Sequence, residues 1–193
     1  MWWARLLNVI SGLLAGGVAA STNSYESIAT VTVGGGGSSS ISFTSIPSTY
    51  KHLQIRGIGR TTNSGTLGNP GINFNSDSNV NNYTMHILYG DGSSASAFGG
   101  GAGTGTDTSI TTGSSAGASI FGVAVIDVLD YASTNKYKTV RSLTGADLNG
   151  SGTIRLYSNL WVNTAAISSI TLTPTASASY SQYSQFALYG IKG

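Results

Sequence analysis

The chain contains no cysteine and very little charge, and each of these absences excludes a class of function. Without a thiol among its 193 residues it has no disulfide and no thiolate metal site. Charged residues make up 8% of the sequence, whereas an average globular protein has roughly 25%. The net charge is +2 and the nine basic residues are scattered. Because a nucleic-acid surface needs clustered Lys and Arg, nucleic acid is not a predicted partner.

The residues that are abundant indicate a folded, β-rich chain. Proline is scarce, with 3 residues, but glycine numbers 27 and the apolar residues make up 40% of the chain. Disordered chains are typically highly charged and poor in aromatic and β-branched residues. Here Ile, Val, Leu and Tyr recur at short intervals along the sequence. The composition therefore predicts β-strands joined by polar, uncharged loops.

The first twenty residues, MWWARLLNVISGLLAGGVAA, differ from the rest because Arg5 is their only charge. Their apolar residues recur at spacings of three and four, which places them on one wide face of a helix. We predict a hydrophobic anchor helix over residues 1–20, buried by other protein chains and short for a bilayer span, and a linker over 21–26. The alternative is a signal peptide cleaved before Ser21. The predicted anchor residues are Trp2, Trp3, Leu6, Leu7, Ile10 and Leu14.

Residues 27–193 are predicted to form one all-β domain, a jelly-roll-like antiparallel β-sandwich. Short apolar or alternating runs are broken every 8–12 residues or so by turn residues, giving about ten strands. The most continuously apolar run, SIFGVAVIDVLDY at 119–131, predicts a central strand. The pair Asn149-Gly150 predicts a hairpin turn. The Gly- and Thr-rich stretch 98–118 is predicted to be a long loop.

Two patterns suggest hydrolytic chemistry, and both have a simpler explanation. GSSAG at 113–117 matches G-x-S-x-G around Ser115, but that motif needs a following helix and a downstream histidine. His52 and His86, the only histidines, lie upstream and are predicted to be sheet residues. Asp127 and Asp130 could be a carboxylate pair for glycoside hydrolysis, yet they fall where a strand ends, which favours turn formation. We therefore predict a chain that is not an enzyme.

No cofactor or metal is predicted either. Asn73, Asn75, Asp77 and Asn79 alternate as in a calcium loop, but the glycine and final glutamate of that loop are missing, so an Asx-rich turn is favoured. Any ligand is expected to bind through uncharged polar and aromatic groups, as cell-surface glycans would. The alternative is that the tyrosines beside Asn, Ser and Gln only pack within the domain. The candidate ligand surface consists of Tyr83, Tyr89, Tyr180 and Tyr183.

Four phrases of the sequence carry a resemblance. They are SYESIATVTVGGGGSSSISFTSIPSTYKHLQIRG, IDVLDYASTNKYKTVRSL, LWVNTAAISSITLTP and the terminal FALYGIKG. In combination they resemble small virion structural proteins of tailed bacteriophages, over roughly residues 25–193. The resemblance implies a non-enzymatic β-sandwich displayed on the particle as a trimer, and it supplies no catalytic residues. Residues 1–20 lie outside it.

These observations leave three functions to compare. The leading hypothesis is a head- or tail-fibre or spike subunit, a homotrimer in the virion that is held in the capsid or tail by residues 1–20. Its β-domain would face the host for receptor binding, and assembly would take place in the host cytoplasm. The second is a capsid decoration protein that cements neighbouring shell subunits. The third is a secreted carbohydrate-binding domain behind a signal peptide.

Overall fold

The computed structural model describes residues 24–101, 106–175 and 177–193. The predicted anchor helix over residues 1–20 lies outside the described residues. Within them the fold is all-β, and the only helix is a single 3₁₀ turn at Val80–Asn82. Every ladder between named strands is antiparallel. The prediction of an all-β, antiparallel domain is therefore confirmed.

Fourteen strands are present in the described part of the chain, against about ten expected. They are β1 Tyr25–Thr32, β2 Ile41–Phe43, β3 His52–Gly59, β4 Leu67–Gly68, β5 Gly71–Phe74, β6 Tyr83–Gly90, β7 Ala95–Gly101, β8 Thr106–Asp107, β9 Thr111–Thr112, β10 Gly122–Val128, β11 Lys138–Asp147, β12 Gly152–Trp161, β13 Ile170–Thr173 and β14 Gln185–Ile191. The strand β1 begins at Tyr25, inside the segment predicted as a linker.

The strands form one large sheet, one small sheet and a short pair. The large sheet has eight strands in the order β1-β14-β3-β10-β11-β12-β6-β7. The small sheet has the order β2-β13-β5-β8, and β4 pairs with β9. Successive side chains on a strand point to opposite faces, so each sheet can direct one apolar face inward. Ile126 and Ile55 of the large sheet and Ile72, Phe74 and Leu172 of the small one belong to the same buried core cluster.

The central-strand prediction is confirmed in position, because β10 is the fourth of the eight strands. Ala124, Ile126 and Val128 of this strand face the core. Its alternate residues Val123 and Val125 are 54% and 39% exposed on the opposite face. A strand that is apolar on both faces is therefore covered on only one of them by the described residues.

The hairpin prediction is also confirmed. Asn149 and Gly150 connect β11 to β12 and have φ angles of 62° and 109°. Both lie in the left-handed region, which asparagine and glycine adopt more easily than other residues. The β11–β12 hairpin carries ten residue pairs, from Lys138 opposite Trp161 to Asp147 opposite Gly152.

The prediction of a long loop over residues 98–118 is wrong. Its described residues include the end of β7 and the strands β8 and β9. The residues from Thr108 to Thr112 are buried, and the backbone N–H of Ile110 donates a 2.7 Å hydrogen bond to Oγ1 of Thr144. Threonine suits strands because its β-branched side chain packs well on a pleated surface. The many glycines of this stretch predicted a loop, although its threonines belong to a buried segment.

Candidate functional site

The serine of the G-x-S-x-G match has structural partners. Ser115 lies on the segment between β9 and β10, and its Oγ donates a 2.6 Å hydrogen bond to the backbone carbonyl of Ser64. Nδ1 of His52 accepts a 2.9 Å hydrogen bond from the backbone N–H of Asp130, and His86 stands opposite Gly99 in the β6–β7 ladder. Among the described residues, neither histidine is a hydrogen-bond partner of Ser115. The structure does not bring the parts of a serine triad together.

The two carboxylates considered for hydrolysis are engaged separately. Asp127 accepts a 2.8 Å hydrogen bond from Nε2 of Gln54. Asp130 forms ion pairs with Lys136 and, at 2.9 Å, with Lys51. Hydrogen bonds from these two lysines lower the pKa of Asp130 to about 2. A general acid needs the opposite shift. The φ of Asp130 is 48°, which fits the predicted role in a turn.

The Asn- and Asp-rich loop is held by its own side chains, as an Asx-rich turn would be. Oδ1 of Asp77 accepts from the backbone N–H of Asn79 at 2.9 Å, and Oδ1 of Asn79 accepts from that of Asn81 at 3.1 Å. Oδ1 of Asn75 accepts from the backbone N–H of Ser168 at 2.9 Å. These oxygens therefore bind backbone donors. In the described ranges, no three His, Asp or Glu side chains lie close enough to share a metal ion.

Two of the four candidate ligand tyrosines are excluded from any surface. Tyr83 and Tyr180 are fully buried, and burial raises the pKa of both hydroxyls. Tyr83 donates a 2.9 Å hydrogen bond to the backbone carbonyl of Asp77, and the Tyr180 ring packs edge-on against Phe186 at 5.2 Å. Polar neighbours in the sequence do not reveal which side chains a strand or turn directs inward. The predicted four-tyrosine surface is therefore wrong for these two residues.

The other two tyrosines lie on different parts of the molecule. Tyr89 is half-buried opposite Arg155 in the β6–β12 ladder, and the Arg155 guanidinium lies 5.5 Å from its ring centroid. Tyr183 is 70% exposed on the segment before β14. Trp161 is buried, with its ring 5.4 Å from that of Phe74. Tyr183 is the predicted ligand residue with the largest accessible ring.

The feature that the sequence reasoning missed is the outward face of the large sheet. Seven aliphatic side chains stand on this face with 39% to 60% of their surface exposed. Val125 is opposite Leu143, Leu143 is opposite Leu156, and Leu156 is opposite Leu88, so four strands contribute one unbroken apolar row. We call the seven residues the apolar outer face: Ile58, Leu88, Val123, Val125, Leu143, Ile154 and Leu156.

Glycines make the apolar outer face concave. In the next row, Gly145 lies between Val123 and Ile154, and Gly90 follows Ile154. The row lacks side chains at both glycines, and together with the tips of two hairpins it forms an open trough of about 1110 Å³. A Cβ added to Gly145 would lie 2.6 Å from the backbone oxygen of Thr153, so this position has little room for a side chain.

Charged groups lie at the margin of the apolar outer face and not within it. The adjoining row contains Asp127 opposite Arg141, followed by Ser158 and His86. The guanidinium of Arg56 lies 5.4 Å from the ring centroids of both Tyr25 and Tyr189 and donates a 2.8 Å hydrogen bond to Gln54.

Covering the apolar outer face would be energetically favourable. Fully burying one aliphatic side chain contributes roughly 1.5–3 kcal/mol, so covering seven half-exposed ones would contribute on the order of 5–10 kcal/mol.

Comparisons with protein-family models, with curated proteins and with solved structures found no match to this chain. Within the residues that the structure describes, no helix has the length and apolar character needed to cross a membrane.

Proposed function

We propose that the chain is a structural subunit of a tailed-phage particle, a fibre or spike protein whose β-domain faces the host. The observation that carries this proposal is the apolar outer face, which presents a broad aliphatic surface on a sheet of low charge. Contiguous apolar patches of this kind mark protein-interaction sites. Such a surface suits a protein whose work is assembly.

The resemblance supports the same proposal. Its phrases at 24–57, 126–143 and 186–193 contain β1, all of β14 except Gln185, and parts of β3, β10 and β11, which occupy adjacent positions in the large sheet. The phrase at 160–174 contains β13 of the small sheet. The shared segments thus build the framework of the domain. The proposal also includes that the two sheets form a jelly-roll-like sandwich, that residues 1–20 form a helix and that the chain assembles as a homotrimer.

In this proposal, residues 1–20 attach the subunit to other virion proteins. The double variant Leu7→Asp and Ile10→Asp places two charges on the predicted apolar face of this helix. Burial of that face against protein would leave both charges unpaired. Particles assembled with this variant should lack the subunit, while circular dichroism of the purified variant shows an intact β-domain. Asn8→Asp, at a polar position of the same segment, is the control and should incorporate normally. Normal incorporation of the double variant would contradict the anchor.

Attachment to the host is proposed to use uncharged contacts, with glycans as the ligand class. Tyr183 provides an exposed ring, and tyrosine rings bind sugar faces through their apolar body while the hydroxyl can form a hydrogen bond. Tyr183→Ala should reduce binding of the full chain to host cells by roughly tenfold, an energy of about 1.4 kcal/mol. Tyr137→Ala, at a position that is 51% exposed, is the matched control and should bind normally. Equal binding by both variants would remove Tyr183 from the site.

A capsid decoration protein is the second candidate, because the apolar outer face could also lie against shell subunits. Particles that lack the subunit distinguish the two roles. A fibre can be removed from a particle whose shell keeps its thermal stability, whereas loss of a cement protein lowers the temperature at which the shell opens. The secreted carbohydrate-binding alternative instead requires a mature protein that begins at Ser21.

A further inference from the structure

We infer that the apolar outer face is covered by the same face of another copy of this chain. The inference adds a contact surface to the proposed assembly. It rests on that proposal, because several copies must be present in one particle. A contact between identical faces pairs copies two at a time, so it does not by itself build the proposed trimer. Its starting point is the contrast between the two faces of β10 and of its neighbours β11 and β12.

The residue pattern of β10 is that of a strand covered on both sides. An antiparallel sheet that faces water alternates apolar and polar residues. In β10, Val123 and Val125 alternate with the buried Ala124 and Ile126, so both phases are apolar. Leu143 and Leu156 continue the outward apolar row on β11 and β12, where the inward neighbours Ser142, Thr144 and Arg155 are polar. The pattern ends abruptly at Asp127, so the apolar character is confined to the rows that line the trough.

The size of the surface fits an interface between proteins. The trough extends across β14, β3, β10, β11 and β12 and reaches the tips of two hairpins, at Asp91 and Gly150. It is lined by 23 residues, which lies within the roughly 20–30 residues that each side of a standard interface contributes. Leu88 and Leu156 extend the apolar row beyond it.

A second copy is the occupant that this surface fits best. The seven side chains of the apolar outer face are uncharged, and the ionisable groups that line the trough at its edges, Arg56, Asp91 and Asp147, are of both signs. A face placed against its own copy can therefore set opposite charges against each other. The aliphatic row through Leu143 stands beside the row that is hollow at Gly145 and Gly90, so the projecting side chains of one face have space to enter the hollow row of another. Self-complementary projections and hollows are what a contact between identical faces requires.

The first test is the mass of the full chain in solution. Native mass spectrometry at micromolar concentration should show an assembly for the unmodified chain. Val123→Arg with Leu143→Arg should weaken association by about 100-fold or more, because each charge would be desolvated without a partner. Val80→Arg is the matched control, since Val80 is 44% exposed on the 3₁₀ turn outside the apolar outer face. Unchanged association of the double variant would overturn the inference.

The second test identifies the occupant. Because the chain has no cysteine, Leu143→Cys introduces a single thiol, and Tyr183→Cys provides an exposed control. Maleimide labelling at Leu143→Cys should be at least tenfold slower in the assembly and should become as fast as the control on dilution to monomers. Slow labelling in the monomer would mean that the chain's own residues cover the face, and fast labelling in the assembly would mean that copies associate elsewhere. Either result overturns the inference.

The same measurements separate this inference from the proposed function. An assembly that is not a trimer but protects Leu143→Cys contradicts the homotrimer and leaves the contact surface intact. An exposed Leu143→Cys in a chain that still incorporates into particles contradicts only the contact surface.

Discussion

The indole Nε1 of Trp161 donates a 2.8 Å hydrogen bond to Oδ2 of Asp77, which joins the end of β12 to the loop after β5. The same carboxylate oxygen accepts a 2.8 Å hydrogen bond from Nδ2 of Asn82, and Oδ1 accepts from the backbone N–H of Asn79. Asp77 therefore ties an otherwise irregular loop to the large sheet. The same loop gave the calcium-like pattern in the sequence.

Asp77→Ala should destabilise the domain by about 3 kcal/mol, because several donors, including the buried indole of Trp161, lose their acceptor. Asp77→Asn keeps one side-chain oxygen and should destabilise the domain by a smaller amount. Urea denaturation followed by circular dichroism measures both changes. If the two variants unfold at the same urea concentration as the unmodified chain, Asp77 does not hold the loop.

The carboxylate of Asp77 also predicts a dependence on pH. Burial raises its pKa, but the hydrogen bonds from Asn82, Asn79 and Trp161 together outweigh burial and lower the pKa below its usual value. A folded-state pKa below the unfolded one stabilises the fold fully above the unfolded pKa, and this contribution is lost as the pH falls through the folded value. Asp77→Asn should therefore show a shallower loss of stability below about pH 4.

The pKa of Asp130 should depend on the two lysines that form ion pairs with it. Lys136 and Lys51 lower it to about 2, so its stabilising contribution is present above the usual pKa and is lost as the pH falls towards 2. Lys136→Gln should raise the pKa of Asp130, measured by NMR titration of its carboxyl carbon. Lys192→Gln, which removes the ion pair with Glu26, is the control and should not shift Asp130. About 1 M salt should reduce the effect of Lys136, because the pair is exposed.

The close contact between β3 and β14 predicts a strict requirement for glycine at position 57. A Cβ on Gly57 would collide with the ring of Phe186, which is buried and packed against Tyr180. Gly57→Ala should therefore destabilise the fold by about 1–3 kcal/mol through overpacking. Gly36→Ala, where the added Cβ meets open space, should change the free energy of unfolding by no more than about 0.5 kcal/mol. Equal effects in urea denaturation would contradict this packing.

Local features of the fold could be predicted from the sequence, but pairings between distant segments could not. The turn at Asn149 and the central position of β10 follow from residue type and apolar continuity. In contrast, β14 inserts between β1 and β3, so residues more than a hundred positions apart are paired. No local periodicity encodes that order. Because the order decides which strands share a face, the row from Val125 to Leu88 could not be predicted before the register was known.

The apolar outer face finally predicts how association should respond to salt. Its seven side chains are aliphatic, and the exposed charges beside them are Arg56, opposite Val125, and Arg141, in the adjoining row. Ionic contacts between proteins weaken as the screening length falls from about 10 Å at 0.1 M salt to about 3 Å at 1 M. Burial of aliphatic surface is not screened, and sulfate strengthens it. The dissociation constant of the full chain should change less than roughly threefold between 0.1 M and 1 M sodium chloride, and it should fall in ammonium sulfate. Arg141→Gln should leave this response unchanged. A steep weakening in sodium chloride that Arg141→Gln abolishes would show that the copies associate through charge.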